Sequence, residues 1–347
     1  MYLLNNAFVK WKNINSANFK IMNGVKQGGV LSPILFAIYL DPLLEKIHKS
    51  GIGCYMGGIC GSAFAYADDV IILTPTCSAM RKLIAICEQY SDEFQLTFNP
   101  NKCFSMVFSD VDFDSSTIKL QLRNEPIRIV NSCKHLGHTI CSNGNIINFD
   151  EVIRDMQVKT NIIINEFHCL TYDARAKIFN TQCLTLYGCE LWNLQDRNLD
   201  KLYTEWRKCC RKIVKLHPRT HNDLIPGLMN SLPIDLMVKK RWLNFFISGL
   251  NHSNKAIADF FKNSLTSVTS YSVSNLNIVI DELGISYPEI FILRRCDIRK
   301  KILQRTEVCN WKTVLLRDLM EIRDGTRFAN LSNEEVDVMI NHICIMN

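Results

Sequence analysis

The sequence predicts an α+β fold over roughly the first 145 residues, followed by helices to the C-terminus. Two observations carry this reading. Up to about residue 141, short runs of β-formers such as Phe8–Trp11 and Val70–Leu73 alternate with turn clusters rich in Gly, Asn and Pro. Beyond Asp150, apolar residues recur at helical spacing almost throughout. A length of 347 residues with 47% hydrophobic content suffices for two or three domains with real cores.

The elements run in order along the chain. Phe8–Trp11 and Asn18–Ile21 read as short strands around a polar turn. A glycine-rich stretch, Gly24 to Gly29, leads into Ser32-Pro33, a favoured N-cap followed by the favoured first helical residue. From there Phe36, Leu40, Leu43, Leu44 and Ile47 mark a helix to about His48, which Pro42 is expected to kink or split. Phe64-Ala65 and Val70–Leu73 flank the acidic Tyr66-Ala67-Asp68-Asp69 and read as a hairpin with both charges at its tip. Ala79 to Phe94 has the pattern of an amphipathic helix. Leu96–Phe98 and Cys103–Phe108 read as strands around the turn Asn99-Pro100-Asn101. Ile118–Leu122 with Ile127–Val130 reads as a hairpin, and His135 to Cys141 as a further strand. Helices are expected near 150–167, 173–188, 198–216 and 233–251. The Ser/Asn-rich start of 252–290 reads as looser, and the tail, with Arg294, Arg295, Arg299, Lys300 and Lys301, as helical again.

Charge and cysteine content narrow the setting. A net charge of +6 is compatible with a nucleic-acid partner. Fifteen cysteines, an odd count with no C-x₂-C pair and no N-terminal signal peptide, point to reduced thiols in the nucleus or cytoplasm. His217 and His221 have half-finger spacing, but adjacent Cys209 and Cys210 chelate poorly and argue against zinc. No apolar run is long enough to span a bilayer. Before Asp41 the only charged residues are Lys10, Lys12, Lys20 and Lys26.

Adjacent carboxylates such as Asp68 and Asp69 among buried strands would be costly, because like charge and desolvation both oppose ionisation. A divalent cation would remove that cost, which makes the pair a candidate Mg²⁺ site for phosphoryl chemistry. Taken alone, an Asp-Asp pair is more often a solvated turn. Glycines at 24, 28 and 29 allow close backbone approach to a ligand, and a helix entry presents free N–H groups to anions. Arg207, Lys208, Arg211, Lys212 and Lys215, with Trp206 among them, recur on one helix and suit a phosphate backbone, although a solvated helix face explains them almost as well.

Asn23-Gly24-Val25-Lys26-Gln27-Gly28-Gly29-Val30-Leu31-Ser32-Pro33-Ile34-Leu35-Phe36, followed by Tyr66-Ala67-Asp68-Asp69, strongly resembles reverse transcriptases of non-LTR (LINE-like) retrotransposons. The resemblance continues through Leu96–Lys102, Cys133-Lys134-His135-Leu136-Gly137 and Tyr187–Trp192 with Trp206-Arg207-Lys208, in the family's order over roughly residues 20–250. His135 stands where the family usually has an aromatic residue. The resemblance implies a right-hand polymerase: palm over 1–145, helical thumb over 146–250 and a helical extension over 251–347. It implies addition of deoxynucleotides to a DNA primer on an RNA template, with Mg²⁺ (Mn²⁺ as a substitute) held by Asp68 and Asp69. Gln27, Gly28 and Tyr66 would meet the nucleotide and primer end, and Leu136 and Gly137 would brace the primer. Lys102 would assist the departing pyrophosphate, unless it is a solvated turn lysine. Arg207, Arg211 and Lys212 would track the duplex.

One departure matters. The family's third carboxylate and its fingers lie upstream of the glycine-rich motif, where this sequence has no Asp or Glu. The expectation is therefore an incomplete palm that needs an upstream segment of the same element for activity. The other reading is a non-catalytic nucleic-acid-binding remnant.

Overall fold

The computed structural model describes residues 6–21, 24–109, 118–142, 149–222, 224–266, 270–294, 297–298 and 300–302. The chain divides after Asn131 into two compact units.

Four two-residue strands open the first unit: β1 (Asn6–Ala7), β2 (Lys10–Trp11), β3 (Ile14–Asn15) and β4 (Phe19–Lys20), with β1 paired to β4 and β2 to β3, both antiparallel. Helix α1 (Ser32–Lys49) follows. Leu31, not Ser32, is its N-cap, because the Ser32 hydroxyl instead donates to the Lys26 carbonyl at 2.5 Å and ties the glycine-rich loop to the helix. The helix continues through Pro42 without splitting. The missing hydrogen bond and ring clash cost about 3 kcal/mol. Burial of Leu40, Leu43 and Ile47 on either side of the proline, at about 1.5–3 kcal/mol each, outweighs that.

The hairpins β5 (Tyr55–Met56) with β6 (Ile59–Cys60) and β7 (Ala63–Tyr66) with β8 (Asp69–Ile72) come next. They are followed by α2 (Cys77–Glu93), whose N-cap Thr76 accepts from the Ala79 amide at 3.1 Å. Leu40, Leu43 and Ile47 of α1 meet Leu83, Cys87 and Tyr90 of α2 in one core, against which Ala63, Val70 and Ile72 pack. The Tyr90 hydroxyl, inside that core, is satisfied by donation to the Tyr39 carbonyl.

The expected strand at Leu96–Phe98 is absent, and a 3₁₀ turn spans Pro100–Lys102. Strands β9 (Phe104–Ser105), β10 (Gln121–Leu122), β11 (Glu125–Pro126) and β12 (Arg128–Ile129) complete the unit. The expected 118–130 hairpin closes more tightly than its apolar runs suggested, as β10–β11 around Arg123-Asn124, and β12 leaves it to pair in parallel with β9. The tight turn is held onto α2 by Arg123, whose amide donates to Glu88 Oε1 at 2.6 Å.

The second unit begins with the antiparallel hairpin β13 (Ser132–His135) and β14 (His138–Cys141). The single strand expected at His135–Cys141 is therefore two, folded at Leu136-Gly137. Helices α3 (Phe149–Glu166), α4 (Tyr172–Gln182) and α5 (Asn198–Ile213) share a core of Met156, Ile163, Phe179, Leu202, Trp206 and Ile213. The short α6 (Leu224–Leu228) leads to α7 (Ile234–Leu250), which forms a second core with α9 (Tyr271–Leu283). The region expected to be looser holds α8 (Lys255–Ser264) and α9. Two of its polar residues are caps: the Asn254 and Ser270 side chains accept from the amides of Ala256 and Ser272. Buried Asn275 joins α9 to the 192–194 loop, donating to the Trp192 carbonyl and accepting from the Leu194 amide.

The architecture is thus mixed helix and strand, then helical. Among the described residues every ladder is two-stranded, and no helix is long and apolar enough to cross a membrane. The tail beyond 302, with Asn23, Arg295 and Arg299, lies outside the described residues.

Candidate active site

The β7–β8 register places Ala63 opposite Ile72, Phe64 opposite Ile71, Ala65 opposite Val70 and Tyr66 opposite Asp69. Opposed residues share a face, and faces alternate along a strand. Ala63, Val70 and Ile72 therefore face the α1–α2 core, and Phe64, Ile71, Tyr66 and Asp69 face away from it. Tyr66 is 67% exposed and lies beside Asp69. Ala67 and Asp68 form the two-residue turn. Ala67 has φ +52°, a left-handed conformation that favours glycine. Both carboxylates are exposed. The buried setting expected for them is not found: the apolar flanks insert only one of their two faces into the core, and the charges sit at the solvated tip.

The loop before α1 is built by backbone geometry. The Gly29 amide donates to the Lys26 carbonyl at 3.0 Å and the Ser32 amide to Gly29 at 3.1 Å. Gly28 has φ +76°, and a Cβ at that position would meet nothing within 4 Å. Within this chain the glycine answers a conformational demand, not crowding. Gln27 is exposed beside it. Lys102, also exposed, ends a 3₁₀ turn whose Asn99 side chain accepts from the Asn101 amide at 3.0 Å. Arg128 braces the same turn by donating to the Asn101 carbonyl.

Residues 2–140, which contain the loop, the hairpin and Lys102, match the family described as reverse transcriptase (RNA-dependent DNA polymerase). This segment belongs to the reverse-transcriptase family. Its curated relatives are polyproteins of R2 retrotransposable elements. The chain is 27% identical over 222 residues to the "Retrovirus-related Pol polyprotein from type-1 retrotransposable element R2" of Popillia japonica, covering 59% of this chain and 34% of that protein. It is 35% identical over 92 residues to the corresponding polyprotein from type-2 retrotransposable element R2DM of Drosophila melanogaster, covering 26% of this chain and 9% of that one. The chain thus spans about a third or less of the length of these relatives.

The donor chemistry of the hairpin fits a hard cation. Mg²⁺ takes one or two carboxylates and fills its remaining positions with water and substrate phosphates, and Asp68 and Asp69 offer two exposed carboxylates. Among the described residues no group of three or more His, Cys, Asp or Glu side chains comes together.

In the second unit, Leu136 and Gly137 occupy the left-handed turn of β13–β14, with φ +47° and +81°. Sequence reasoning placed Tyr187 only within a longer motif, yet it fixes this turn. Its hydroxyl donates to the Leu136 carbonyl at 2.9 Å, and its ring stacks on His138 at 4.6 Å and 6°. A Cβ on Gly137 would come 3.0 Å from the Tyr187 ring, and one on Gly188 would overlap His138.

The basic residues of α5 behave differently from one another. Lys212 is exposed, Lys208 pairs with Glu205 at 3.1 Å, and Arg207 donates to the Thr204 hydroxyl. Arg211 turns inward, donating to the Thr220 carbonyl at 2.8 Å and Asn222 Oδ1 at 2.6 Å. Burial, with Arg207 nearby, lowers its pKa from the usual guanidinium range. Trp206 lies in the core and offers no exposed ring. Burial raises the Cys209 thiol and holds Cys210 well above the usual range, which disfavours the thiolates that zinc would need.

Proposed function

We propose that the Tyr66–Asp69 hairpin is the catalytic centre for RNA-templated addition of deoxynucleotides to a primer 3′ end. The observation that carries this is the pair of exposed carboxylates beside Tyr66, at the tip of a core-anchored hairpin inside the reverse-transcriptase segment. Asp68 and Asp69 would hold Mg²⁺ or Mn²⁺. When bound, the cation favours loss of the primer hydroxyl proton and offsets triphosphate charge. The primer 3′ oxygen forms a bond to the α-phosphorus, and the bond to pyrophosphate breaks. Tyr66 packs beside the primer end. Lys102 offers charge or a proton to the departing pyrophosphate. Gln27 and Gly28 contact the nucleotide or template base. Leu136 and Gly137 brace the primer backbone, and Lys212 and Arg207 approach the duplex phosphates, with Lys212 the more accessible, while Arg211 supports that face by holding the 220–222 loop.

The domain reading proposed with it is palm over 1–145, thumb over 146–250 and an extension over 251–347. Catalysis on this scheme needs a further carboxylate, and no residue before Asp41 is acidic. The proposal therefore includes a requirement for an upstream segment of the same element. The second reading, nucleic-acid binding without catalysis, is favoured by that same acid-free stretch.

Primer extension on an RNA template with Mg²⁺ tests the proposal. The chain alone is expected to be inactive, and a version extended upstream to an aspartate-bearing strand is expected to extend primers. Activity of the chain alone that vanishes in Asp68→Ala would show the requirement to be wrong. Failure of the extended version would leave the binding reading.

A further inference from the structure

We propose that one face of the N-terminal β-ribbon, Phe8 with Lys10 and Lys20, is a binding surface for single-stranded nucleic acid. The proposal concerns binding alone and stands whether or not the Asp68-Asp69 hairpin is competent.

The register assigns the faces. Trp11 pairs with Ile14 and Lys10 with Asn15, and the Ser16 amide donates to the Val9 carbonyl at 2.9 Å. Further along, Ala7 pairs with Phe19 and Asn6 with Lys20. Between these two stretches Ala17 and Asn18 stand against Phe8 alone, so the second strand carries a one-residue bulge. Alternation then places Val9, Trp11, Ile14 and Phe19 on one face, and Phe8, Lys10 and Lys20 on the other. The four-residue spacing from Lys10 to Asn6, the partner of Lys20, separates the two lysines by about 13 Å along the ribbon. Phe8, 52% exposed, lies midway between them.

Two cations flanking an exposed ring is how single strands are held: phosphates to the lysines, a base on the ring. Charge complementarity favours a polyanion as the occupant. The first 40 residues carry four lysines and no acid, against a net +6 for the whole chain. A lysine pair without arginine also suits phosphate tracking better than planar, bidentate recognition of a carboxylate. The opposite face is apolar and serves as an internal control, since Trp11 and Ile14 are as exposed as Phe8 or more so.

The test uses the full chain and a fluorescent mixed-sequence single-stranded RNA, with anisotropy measured over a KCl series. Lys10→Gln/Lys20→Gln is expected to lower the salt slope by about 1.4, two phosphate contacts at roughly 0.7 each. Phe8→Ala is expected to weaken binding about tenfold with the slope unchanged. Trp11→Ser, on the other face, is expected to change neither. An unchanged slope in the double-lysine variant overturns the proposal. So does a loss in Trp11→Ser as large as that in Phe8→Ala, or displacement of the RNA by polyglutamate at equal charge. A slope that responds only to Lys212→Gln assigns binding to α5 and overturns the ribbon while leaving the thumb reading intact. Far-ultraviolet circular dichroism on each variant separates loss of binding from loss of fold.

Discussion

The turn residue Ala67 carries the strain of the hairpin. A left-handed φ of +52° costs an alanine roughly 1–2 kcal/mol, and a β-branched residue more. Ala67→Val is therefore expected to lower stability by about 1–2 kcal/mol in urea unfolding. Ala67→Gly should stay within about 0.5 kcal/mol, relief of strain being offset by the greater freedom of glycine in the unfolded chain. Equal effects of the two variants would refute a strained turn. The buried thiols make a second prediction at this scale. Burial raises Cys87, Cys183 and Cys189 to about 12. In the unfolded chain thiols ionise near 9, so only the unfolded state loses these protons as pH climbs. Stability should hold below about pH 9 and fall between 9 and 12. Below pH 9 a disulfide reagent should label exposed Cys169 far faster than these three. Comparable rates would contradict their burial.

The β13–β14 hairpin shows where element-level reading from sequence stops. Its β-formers and glycine announce extended chain, but the fold at Leu136-Gly137 depends on Tyr187, 51 residues away. No local pattern records such a contact. Gly188→Ala should cost at least about 2 kcal/mol, because φ +78° and overlap with the His138 ring act together. Tyr187→Phe, which keeps the stack and loses one hydrogen bond, should cost about 1 kcal/mol. A neutral Gly188→Ala would mean that the hairpin does not seat on this loop. The β7–β8 hairpin, by contrast, was legible because alternation and an acidic tip are both local. Helices α8 and α9 were obscured for a related reason. Asn254 and Ser270 read as loop residues when they are caps, and the two roles differ only in whether the next residues turn helical. Arg211 and Trp206 were read as part of a basic, aromatic face because helical spacing orders residues by turn and says little of which ones the core claims.

At the scale of the whole molecule, two compact units carry different parts of the proposed chemistry: the acidic hairpin in the first, the α5 cations in the second. If α5 tracks nucleic acid, Lys212→Gln should lower the salt slope of duplex binding by about 0.9, the value for one phosphate contact. Arg211→Gln should instead act mainly through stability, since its guanidinium holds the 220–222 loop. Equal slopes for Lys212→Gln and the unaltered chain would remove α5 from the interface. Helix α1 also exposes the apolar side chains of Ile34, Leu35 and Ile38. The central claim, that Asp68 and Asp69 are polymerase carboxylates, is tested most directly by RNA-templated primer extension with the upstream-extended version proposed above. The account predicts Mg²⁺-dependent extension that falls about a hundred- to a thousandfold in Asp68→Asn, the size of loss seen when one group stabilising transition-state charge is removed. Undiminished extension in that variant would contradict it.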